Sequence, residues 1–396
     1  METMERIEAD VCVVGAGIVG LAHALEARAR GMSVAVLDRA QRAAGASVRN
    51  FGHVIVSGMA AGEPLEVALR ARERWLDVGR RAGLEVHKTG TVIVARSPDE
   101  LEVLAGVAGE SERGARIVTP GEISRLAPIP VDRLIGGLHA TLDLRVDPRR
   151  AVGALAALLA DDPGVTMRWG ASVHAVDTGV VAAAGIAADT GVVAAAGIEV
   201  RAGLVIVCPG PDYDWLAPAL RPRRAGLTRC KLQMLRVAAP GGRRYGPALL
   251  TALSLLRYPG YGDRPGAEAL RARLAAESPE LLAGGVHLIV TQLSGGDLVL
   301  GDTHEYGDTV SPFGDERLDT LVLAEARRLL GVDELQVHQR WHGVYPTADG
   351  DPFLVEWPCD GVAVVEVVSG IGMTTALGMA PLTFAGRPQP SLSSAG

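Results

Sequence analysis

A strand, a glycine-rich turn, a helix and a second strand near the start of the chain constrain the fold more than any other stretch. Residues 9–14 form a short apolar run with β-branched side chains, which predicts a buried strand. This run leads into the hexapeptide GAGIVG, and an alanine- and leucine-rich helix is expected over residues 21–30. Gly31 is the expected C-cap, and residues 33–37 predict a second strand that ends at Asp38. The stretch therefore predicts a complete β-α-β unit.

The glycines and the acid of this unit meet the requirements of a dinucleotide site. Gly15 permits a tight turn, Gly17 lets backbone N–H groups approach a pyrophosphate, and Gly20 lets the helix pack against the strand. The helix N-terminus adds unpaired N–H donors and a favourable dipole, and Asp38 is placed to accept hydrogen bonds from a ribose diol. Such a hexapeptide alone also occurs in ordinary turns, but here both strands, the helix and the acid occur in register. The cofactor-binding residues expected from this unit are Gly15, Gly17, Ile18, Val19, Gly20, Asp38 and Arg39.

Composition narrows the class of protein. A chain of 396 residues suits two domains, and its 48% of hydrophobic residues supplies ample core. The net charge of −7 and the scattered arginines give no support to a nucleic-acid partner. The four cysteines lie far apart without CxxC spacing, so no metal site is expected. Because the chain has neither an apolar run of about 18 residues nor an apolar signal region, we expect a cytoplasmic protein without a membrane partner.

The middle of the chain predicts an antiparallel sheet with helices between its strands. Residues 226–310 alternate apolar strands with loops, and the stretch 248–262 is interpreted as one of these strands. Residues 86–95 predict two strands joined by a Thr-Gly turn. Asp147 and Pro148 form a helix start, as N-cap and first helical residue. Helices are also expected over residues 63–82, 98–111, 119–126, 151–160, 265–282 and 315–330.

A tandem repeat and a second glycine-rich turn complete the pattern. Residues 177–199 contain DTGVVAAAGI twice, which we interpret as a duplicated peripheral hairpin without a catalytic role. Residues 362–368 predict a β-branched strand, followed by the turn SGIGMT and a helix that Pro381 is expected to cut short. Residues 389–396 predict a disordered tail.

Several motifs together resemble those of the FAD-dependent amine and amino-acid oxidases of the D-amino-acid oxidase/glycine oxidase superfamily. They are GASVRNFG, DLRVDPR, CPG, TRCKLQMLR, the RYP at residues 257–259, GDTHEYG, RWHGVYP and GMT, and in combination they look most like its phosphonate-associated branch. The resemblance implies an α/β chain in which a Rossmann-like FAD-binding domain of the glutathione-reductase type carries an inserted antiparallel-sheet substrate domain. It assigns residues 1–82, 140–216 and 335–388 to FAD binding and residues 83–139 and 217–334 to substrate binding.

The resemblance also implies where FAD lies. The loop after Asp38 lies under the flavin, and the strand over residues 200–209 ends in a turn that closes over the cofactor. The last helix points its N-terminus at the flavin pyrimidine, where N–H groups stabilise negative charge on the reduced flavin. FAD is expected to be bound non-covalently, and His53 is the alternative site of a covalent flavin bond. The further cofactor residues implied are Ser47, Arg49, Asn50, Val173, Pro209, Gly210, Gly343, Gly370, Ile371, Gly372, Met373 and Thr374.

Candidate catalytic residues come from the same motifs. A carboxylate or phosphonate needs charge-assisted donors, which arginine, lysine, histidine and tyrosine supply. Each such residue alone also fits an ordinary structural role, and Arg49 fits a structural ion pair as well as it fits an anion or reduced-flavin contact. The candidates are Arg49, His53, Lys231, Tyr258, His304, Arg340, His342 and Tyr345.

The function implied is the FAD-dependent oxidation of a small amine, either an aminophosphonate or an amino acid. The product imine hydrolyses to a carbonyl compound, and O2 is reduced to H2O2. A flavin dehydrogenase or a biosynthetic tailoring oxidase with another electron acceptor is the alternative enzyme. A non-catalytic dinucleotide-binding regulator is disfavoured, because cationic and aromatic residues concentrate where a substrate would lie. The oligomeric state stays open.

Overall fold

The computed structural model describes residues 4–177, 191–195, 197–215 and 220–386. Most of the predicted duplicated hairpin and the predicted tail over residues 389–396 lie outside these ranges. The strand Gly191–Ala195 lies within the repeat, and it pairs antiparallel with Val173–Asp177, which ends at the first residue of the repeat. The helices in the described ranges are α1 (Ile18–Ala29), α2 (Glu63–Arg81), α3 (Pro98–Ala108), α4 (Pro120–Leu126), α5 (Pro148–Ala160), α6 (Ala252–Leu255), α7 (Pro259–Gly262), α8 (Ala267–Glu277), α9 (Pro279–Ala283), α10 (Glu316–Leu330) and α11 (Gly372–Ala385).

The strands of the described ranges form three sheets. They are β1 (Glu5–Val14), β2 (Val34–Asp38), β3 (His53–Val54), β4 (Val86–His87), β5 (Thr91–Ala95), β6 (Ala115–Val118), β7 (Gly136–Ala140), β8 (Leu144–Val146), β9 (Val165–Trp169), β10 (Val173–Asp177), β11 (Gly191–Ala195), β12 (Ile198–Val207), β13 (Thr228–Val237), β14 (Ala248–Leu250), β15 (Ile289–Gln292), β16 (Leu298–Gly301), β17 (Glu305–Gly307), β18 (Val337–Thr347), β19 (Phe353–Cys359) and β20 (Val362–Val367).

The first sheet is built around the β-α-β unit. Strand β1 lies between β2 and β12 and is parallel to both, and β9 and β20 extend the parallel part. Val11, Cys12 and Val13 of β1 are fully buried, as expected for a strand covered on both faces. Helices α1, α2, α5 and α11 contribute to the apolar core on one face of this sheet. The predicted unit is confirmed, with its helix beginning three residues earlier, at Ile18.

The second sheet is antiparallel except where β14 runs parallel to β5. Its strand β13 pairs with β16, β17 and β18, and apolar residues from α3, α8 and α10 join its core. The expected antiparallel sheet is therefore present. Strand β18, which the sequence assigned to the FAD-binding part, pairs along almost its whole length with β13 of this second sheet. The predicted domain division is otherwise untested and stays a prediction.

Two local predictions are wrong. Residues 86–95 do not form a hairpin, because β4 pairs with β8 in the small third sheet while β5 pairs with β7 and β14. The stretch 248–262 is not one strand either, since only β14 is extended and the chain then turns into α6 and α7. Pro259 lies at the start of α7, where a missing backbone N–H costs no hydrogen bond.

Helix α11 passes through Pro381 and ends at Ala385, so the prediction that Pro381 cuts it short is also wrong. A proline inside a helix leaves the carbonyl four residues earlier without its helical donor. That carbonyl, on Leu377, accepts a hydrogen bond of 3.1 Å from Arg74 Nη1 of α2. The neighbouring carbonyl of Gly378 accepts one from Arg70. The arginines of α2 thus replace the missing helical donor, and the helix continues.

Close packing against α2 fixes the position of α11. A Cβ atom added to Gly378 would lie 2.0 Å from the carbonyl oxygen of Val67, so the two helices touch through backbone atoms. The buried Trp75 donates from Nε1 to the carbonyl of Met373 at 2.8 Å. This contact holds the first turn of α11 beside the first sheet. In the described part of the chain, no helix combines the length and apolar character needed to cross a bilayer.

Candidate active site

A cavity of about 1140 Å³ is lined by residues of both large sheets. Three groups of residues contribute to its lining. The first is the turn after β1, which we call the first glycine turn (residues 15–20). The second is the turn between β20 and α11, the second glycine turn (residues 369–374). The third comes from the second sheet and its connections, and it carries most of the ionisable groups. The cavity therefore joins the dinucleotide motif to a polar region.

The first glycine turn has the close approaches that its sequence predicts. Gly15 has φ +102°, and an added Cβ atom would lie 2.4 Å from the carbonyl oxygen of Cys208. A Cβ atom on Gly20 would lie 1.8 Å from the carbonyl oxygen of Gly15, so only glycine lets α1 start here. Ser47 Oγ accepts a hydrogen bond of 2.9 Å from the N–H of Ile18, and Val19 also lines the cavity. The loop after β2 thus braces the start of α1.

Asp38 and Arg39 end β2 at the cavity wall. The Asp38 carboxylate accepts hydrogen bonds from the N–H groups of Ala16 at 2.7 Å and Ala40 at 2.8 Å. It therefore stabilises the first glycine turn directly, in addition to its predicted ribose contact. Arg39 forms an ion pair with Asp212. That pair connects the end of β2 with the turn that follows β12.

The turn after β12 lies beside the first glycine turn. Pro209 and Gly210 both line the cavity, and Gly210 has φ +60°, a conformation that favours glycine. Val173, at the start of β10, lines the cavity as well. All three residues are therefore where the sequence placed them, although their contacts with a cofactor stay predictions.

The second glycine turn presents the N-terminus of α11 to the cavity. Gly370, Ile371, Gly372, Met373 and Thr374 all line it. The N–H of Thr375 bonds to the carbonyl of Ile371, so the N–H groups before it have no partner inside the helix. Unpaired N–H groups and the helix dipole favour negative charge at this point.

The loop before β3 lies against β18 at the cavity wall. Arg49 lines the cavity and donates to the carbonyls of Ala44 and His342. Asn50 also lines it, but its side chain bonds within its own loop, to the carbonyl of Ala46 and the N–H of Gly52. Gly343, on β18, lies against this loop, since an added Cβ atom would be 3.4 Å from the carbonyl oxygen of Arg49.

His53 is buried at the cavity wall on β3. Its Nε2 atom lies 2.7 Å from Thr91 Oγ1 and 3.7 Å from a carboxylate oxygen of Asp143. Its other ring nitrogen, Nδ1, has no hydrogen-bond partner among the described residues. Thr374 Oγ1 links this strand to α11, because it accepts from the N–H of Ile55 and donates to the carbonyl of His53.

The polar region of the cavity centres on Arg257. Its Nε donates to His304 Nε2 at 3.2 Å, and its Nη2 donates to the hydroxyl of Tyr345 at 3.0 Å. Tyr258 lines the cavity beside it. Among the described residues, Arg257 forms no ion pair with a carboxylate. A half-buried guanidinium with only neutral partners makes this part of the cavity attractive to an anion.

His304 is held as a neutral acceptor for Arg257. Its Nδ1 atom lies 2.8 Å from the carbonyl of Gly285 and must donate there, which leaves the lone pair of Nε2 for Arg257. Burial lowers the pKa of His304 to about 4, although the neighbouring Asp302 opposes that shift. His304 is therefore uncharged at neutral pH, and it orients Arg257 without repelling it.

A buried carboxylate lines the same cavity. Asp302 Oδ1 lies 2.9 Å from Nε2 of the buried His287, but the atoms are not aligned for a hydrogen bond, and Oδ1 has no other partner among the described residues. Burial raises the pKa of Asp302, but His287, His304 and Arg257 outweigh that effect and lower it. Asp302, His287 and His304 have the donor types of a metal site. The free nitrogen of His304, however, already accepts from a guanidinium, so we interpret the group as an electrostatic and proton-transfer cluster.

Three predicted catalytic residues lie outside the cavity lining, and the reason is strand alternation. On β13, Leu232 lines the cavity, while Lys231 turns away and donates to the carbonyls of Ser311 and Phe313. On β18, the side chain of Arg340 bonds to Asp319 of α10 and to Glu316. His342 lies opposite Gln233 in the pairing of β13 with β18, and Gln233, like Arg340, binds Asp319. His342 therefore lies on the face of the second sheet that meets α10. These three residues are better explained as contacts between the second sheet and the segment over residues 311–330.

Sequence reasoning missed three of the polar residues that line the cavity. Arg257 was quoted only as part of the RYP motif, and His287 was part of an apolar strand pattern. Asp302 stands two residues before His304 in GDTHEYG, directly after the apolar β16. A charged residue that follows a buried strand at once was the available signal for Asp302. No comparable local signal marks His287.

The geometry fits FAD. Two glycine turns, each next to a helix N-terminus, line one cavity together with the acid at the end of β2, and the first of them requires glycine at positions 15 and 20. Such turns bind phosphate groups and stabilise negative charge. The unpaired Nδ1 of His53 and the buried carboxyl group of Glu366, which has no hydrogen-bond partner among the described residues, face the same cavity.

Comparisons with known proteins agree with this geometry. A family model described as "FAD dependent oxidoreductase" matches residues 10–385. Among solved structures, glycine oxidase from Geobacillus kaustophilus is 18% identical, with a TM-score of 0.73 over 97% of this chain and 96% of that one. L-proline dehydrogenase from P. horikoshii is 17% identical, with a TM-score of 0.75 over 96% and 92%.

A third solved structure contains the cofactor. FAD-bound L-α-glycerophosphate oxidase from Mycoplasma pneumoniae is 17% identical, with a TM-score of 0.73 over 95% of this chain and 94% of that one. At these identities the likeness concerns the fold. Among curated protein sequences, the comparison found no match.

Proposed function

Because this chain belongs to the family of FAD-dependent oxidoreductases, whose model matches residues 10–385, we propose that it oxidises a small amine that carries an anionic group. The amine is an amino acid or an aminophosphonate. Its carbon–nitrogen bond is oxidised to an imine, which water hydrolyses to a carbonyl compound and ammonia or a smaller amine. O2 takes up the two electrons and two protons and leaves as H2O2.

The observation that carries this proposal is the unpaired Arg257 in the cavity lining. Its side-chain hydrogen bonds go to neutral groups of His304 and Tyr345. Its charge helps to lower the pKa of Asp302, but it forms no ion pair with a carboxylate of the described residues. Placing a cation in a half-buried site without a counter-ion is costly unless a ligand supplies the negative charge. A substrate carboxylate or phosphonate supplies it, and the Tyr345 hydroxyl adds a second polar contact.

Asp302 and His287 are the proposed contacts of the amino group of such a substrate. Amines of this kind are protonated at neutral pH, and an ammonium group must lose a proton before its C–H bond can be oxidised as a hydride. Asp302 attracts the ammonium group, and the Asp302–His287 pair receives its proton. The cavity therefore offers a cation and an anion that are not paired with each other, which matches a zwitterion.

FAD, when bound, supplies the two-electron acceptor for this oxidation. The first glycine turn and Asp38 would hold its adenosine diphosphate half, and the second glycine turn would hold the reactive half. At the second turn, the N–H groups of Gly372, Met373 and Thr374 favour negative charge. The apolar residues Phe51, Ile55 and Met59 line the cavity too, and they limit the access of water to the reacting carbon.

The choice between a phosphonate and a carboxylate rests on the resemblance of the sequence motifs to the phosphonate-associated branch, which favours a phosphonate. Arg257 is suited to either group because guanidinium forms bidentate contacts with both. O2 is the proposed electron acceptor. A dehydrogenase that uses another acceptor keeps the same substrate chemistry and differs only in how the flavin is reoxidised.

The experiment is an anaerobic titration of the purified yellow protein with a matched panel of compounds. The panel contains glycine, sarcosine, 2-aminoethylphosphonate, propylamine as an amine without an anionic group, and glycerol 3-phosphate as an anion without an amine. Bleaching of the flavin bands by an anionic amine, and slower bleaching by propylamine, is expected. Bleaching by glycerol 3-phosphate alone would contradict the amine proposal.

Admitting air to the bleached sample tests the acceptor separately. Rapid return of the yellow colour with release of H2O2 is expected for an oxidase. Slow return in air but fast return with an artificial quinone or dye would replace the oxidase with the dehydrogenase.

A further inference from the structure

Glu366 is a buried acid that nothing in the described protein satisfies. It lies on β20, is 2% exposed, and both of its carboxyl oxygens lack a hydrogen-bond partner among the described residues. Leaving a buried polar group unpaired costs about 1–3 kcal/mol, and more if it is charged. Proteins seldom keep such a group unless a ligand or a water molecule forms hydrogen bonds with it.

The alternation of β20 aims this side chain away from the helical face of the first sheet. Ala363, Val365 and Val367 join the core formed with α1 and α11, whereas Val362 and Val364 join the core on the opposite face. Glu366 shares the face of Val362 and Val364. It also lines the large cavity, three residues before Ser369, whose buried Oγ atom likewise lacks a partner among the described residues.

The surroundings of Glu366 favour the uncharged form of its carboxyl group. Burial raises the pKa of its carboxyl group well above the usual range; Arg229 opposes the shift, and Asp212 and Glu356 add to it. Arg229 cannot neutralise Glu366, because it already pairs with Asp214 and donates to the carbonyl of Pro211. The thiol of Cys208 also interacts with Glu366, and burial raises the pKa of that thiol too. A neutral carboxylic acid both donates and accepts one hydrogen bond.

We propose that the protonated carboxyl group of Glu366 is a hydrogen-bond partner of bound FAD. The proton suits this task, because an ionised carboxylate would repel the diphosphate and the reduced flavin, whereas a carboxylic acid donates to them. FAD would then form the hydrogen bonds that the side chain of Glu366 lacks among the described residues. Two consequences follow: the acid destabilises the protein without FAD, and its ionisation at high pH weakens FAD binding.

The test compares Glu366→Gln, Glu366→Leu and the matched control Glu356→Gln, which alters a nearby acid that does not line the cavity. Each holoprotein is dialysed to equilibrium at pH 6 to 10, and FAD fluorescence gives the dissociation constant. Thermal unfolding of the FAD-free protein is followed in parallel. We expect Glu366→Leu to weaken FAD binding roughly 10-fold or more and to raise the melting temperature of the FAD-free protein.

Glu366→Gln should bind FAD within about threefold of the wild type at pH 7 and lose the weakening at high pH, because an amide donates but does not ionise. Glu356→Gln should bind FAD as the wild type does at pH 7 and keep the alkaline loss, which moves to lower pH because one charge that raises the pKa of Glu366 is removed. If Glu366→Leu binds FAD as the wild type does, or if Glu366→Gln keeps the alkaline loss, Glu366 does not contact FAD and the proposal is wrong. Neither result depends on turnover, so the amine proposal stands or falls separately.

Discussion

Replacing Arg257 by leucine tests the proposed anion site most directly. Arg257 donates to His304 and Tyr345 and has no carboxylate partner among the described residues, so its charge is available to a substrate. Leucine fills similar space near the backbone but removes the charge and every donor. The expected result is a loss of kcat/KM for anionic amines that appears mostly as a higher KM, because the contact exists before and during the reaction.

The magnitude follows from the contact that is lost. A hydrogen bond to a charged group contributes about 1.5–3 kcal/mol, and each 1.36 kcal/mol changes a rate ratio tenfold, which gives a roughly 10- to 150-fold loss. Propylamine has no anionic group, so its kcat/KM should change less than about threefold. Because the pKa of His304 is about 4, the difference between the two amines should be constant from pH 6 to 9.

Steady-state kinetics with both amines measure this difference, and Arg340→Gln is the matched control. Arg340 lies on β18 of the second sheet, but its partners Asp319 and Glu316 belong to α10 and it does not line the cavity. We expect it to leave both kcat/KM values within about threefold of the wild type. Equal losses for the anionic amine and for propylamine in Arg257→Leu would refute the anion-site reasoning, as would a selective loss in Arg340→Gln.

Four further predictions concern the cofactor, the proton and stability. Gly20→Ala should purify with little FAD, because the new Cβ atom would lie 1.8 Å from the carbonyl oxygen of Gly15. Its control is Gly153→Ala in α5, where nothing lies within 4 Å of the new Cβ atom. That variant should keep FAD, and its free energy of unfolding should rise by about 0.5–1 kcal/mol. Asp302→Asn should lower kcat/KM at pH 7 about 10-fold or more and recover towards the wild type at pH 10, where the amine is already neutral; a pH-independent loss would exclude the proton role. Burial lowers the pKa of His23 to about 4, so between pH 6.5 and 4 the unfolded chain binds more protons than the folded one. As the pH falls through that window, the free energy of unfolding of the wild type should fall by up to roughly 3 kcal/mol relative to His23→Gln. Denaturant titrations at several pH values measure this difference. Acid precipitation should release all flavin into the supernatant, and flavin left on the polypeptide but absent from His53→Ala would show a covalent bond instead.

The parts of the fold that local sequence determines were predictable. The first glycine turn needs glycine at fixed positions, and the helix start at Asp147 is read from two adjacent residues; the structure has the Asp147 side chain accepting from the N–H of Arg149. Pro381 shows where local reasoning stops. The carbonyl of Leu377, which Pro381 leaves without a helical donor, accepts a hydrogen bond from Arg74 instead. Because Arg74 is distant in sequence, the residues around Pro381 do not reveal that the helix continues.

In the candidate site, too, some residues were located correctly from the sequence and others were not. The cofactor residues of the β-α-β unit follow from its turn and helix start, whereas the others were implied by the family resemblance. Each one named from the sequence lines the cavity. The catalytic candidates depended on which face of β13 and β18 meets the cavity, and a period-two pattern gives two faces without saying which. Lys231, Arg340 and His342 were chosen from the face that meets α10, while Tyr345, an odd-numbered residue of β18, lies on the other.

The packing of α11 has a consequence for how the protein is made. This helix supplies the second glycine turn, accepts the indole N–H of Trp75 at Met373, and contacts His23 of α1 through Thr383. A ribosome therefore finishes α1 and α2 long before their neighbour exists, and their apolar sides wait uncovered until the last helix emerges. The cofactor pocket cannot close during synthesis of the first half. Completion of the flavin pocket therefore waits for α11, which covers α1 and α2 and supplies the second glycine turn in the same step.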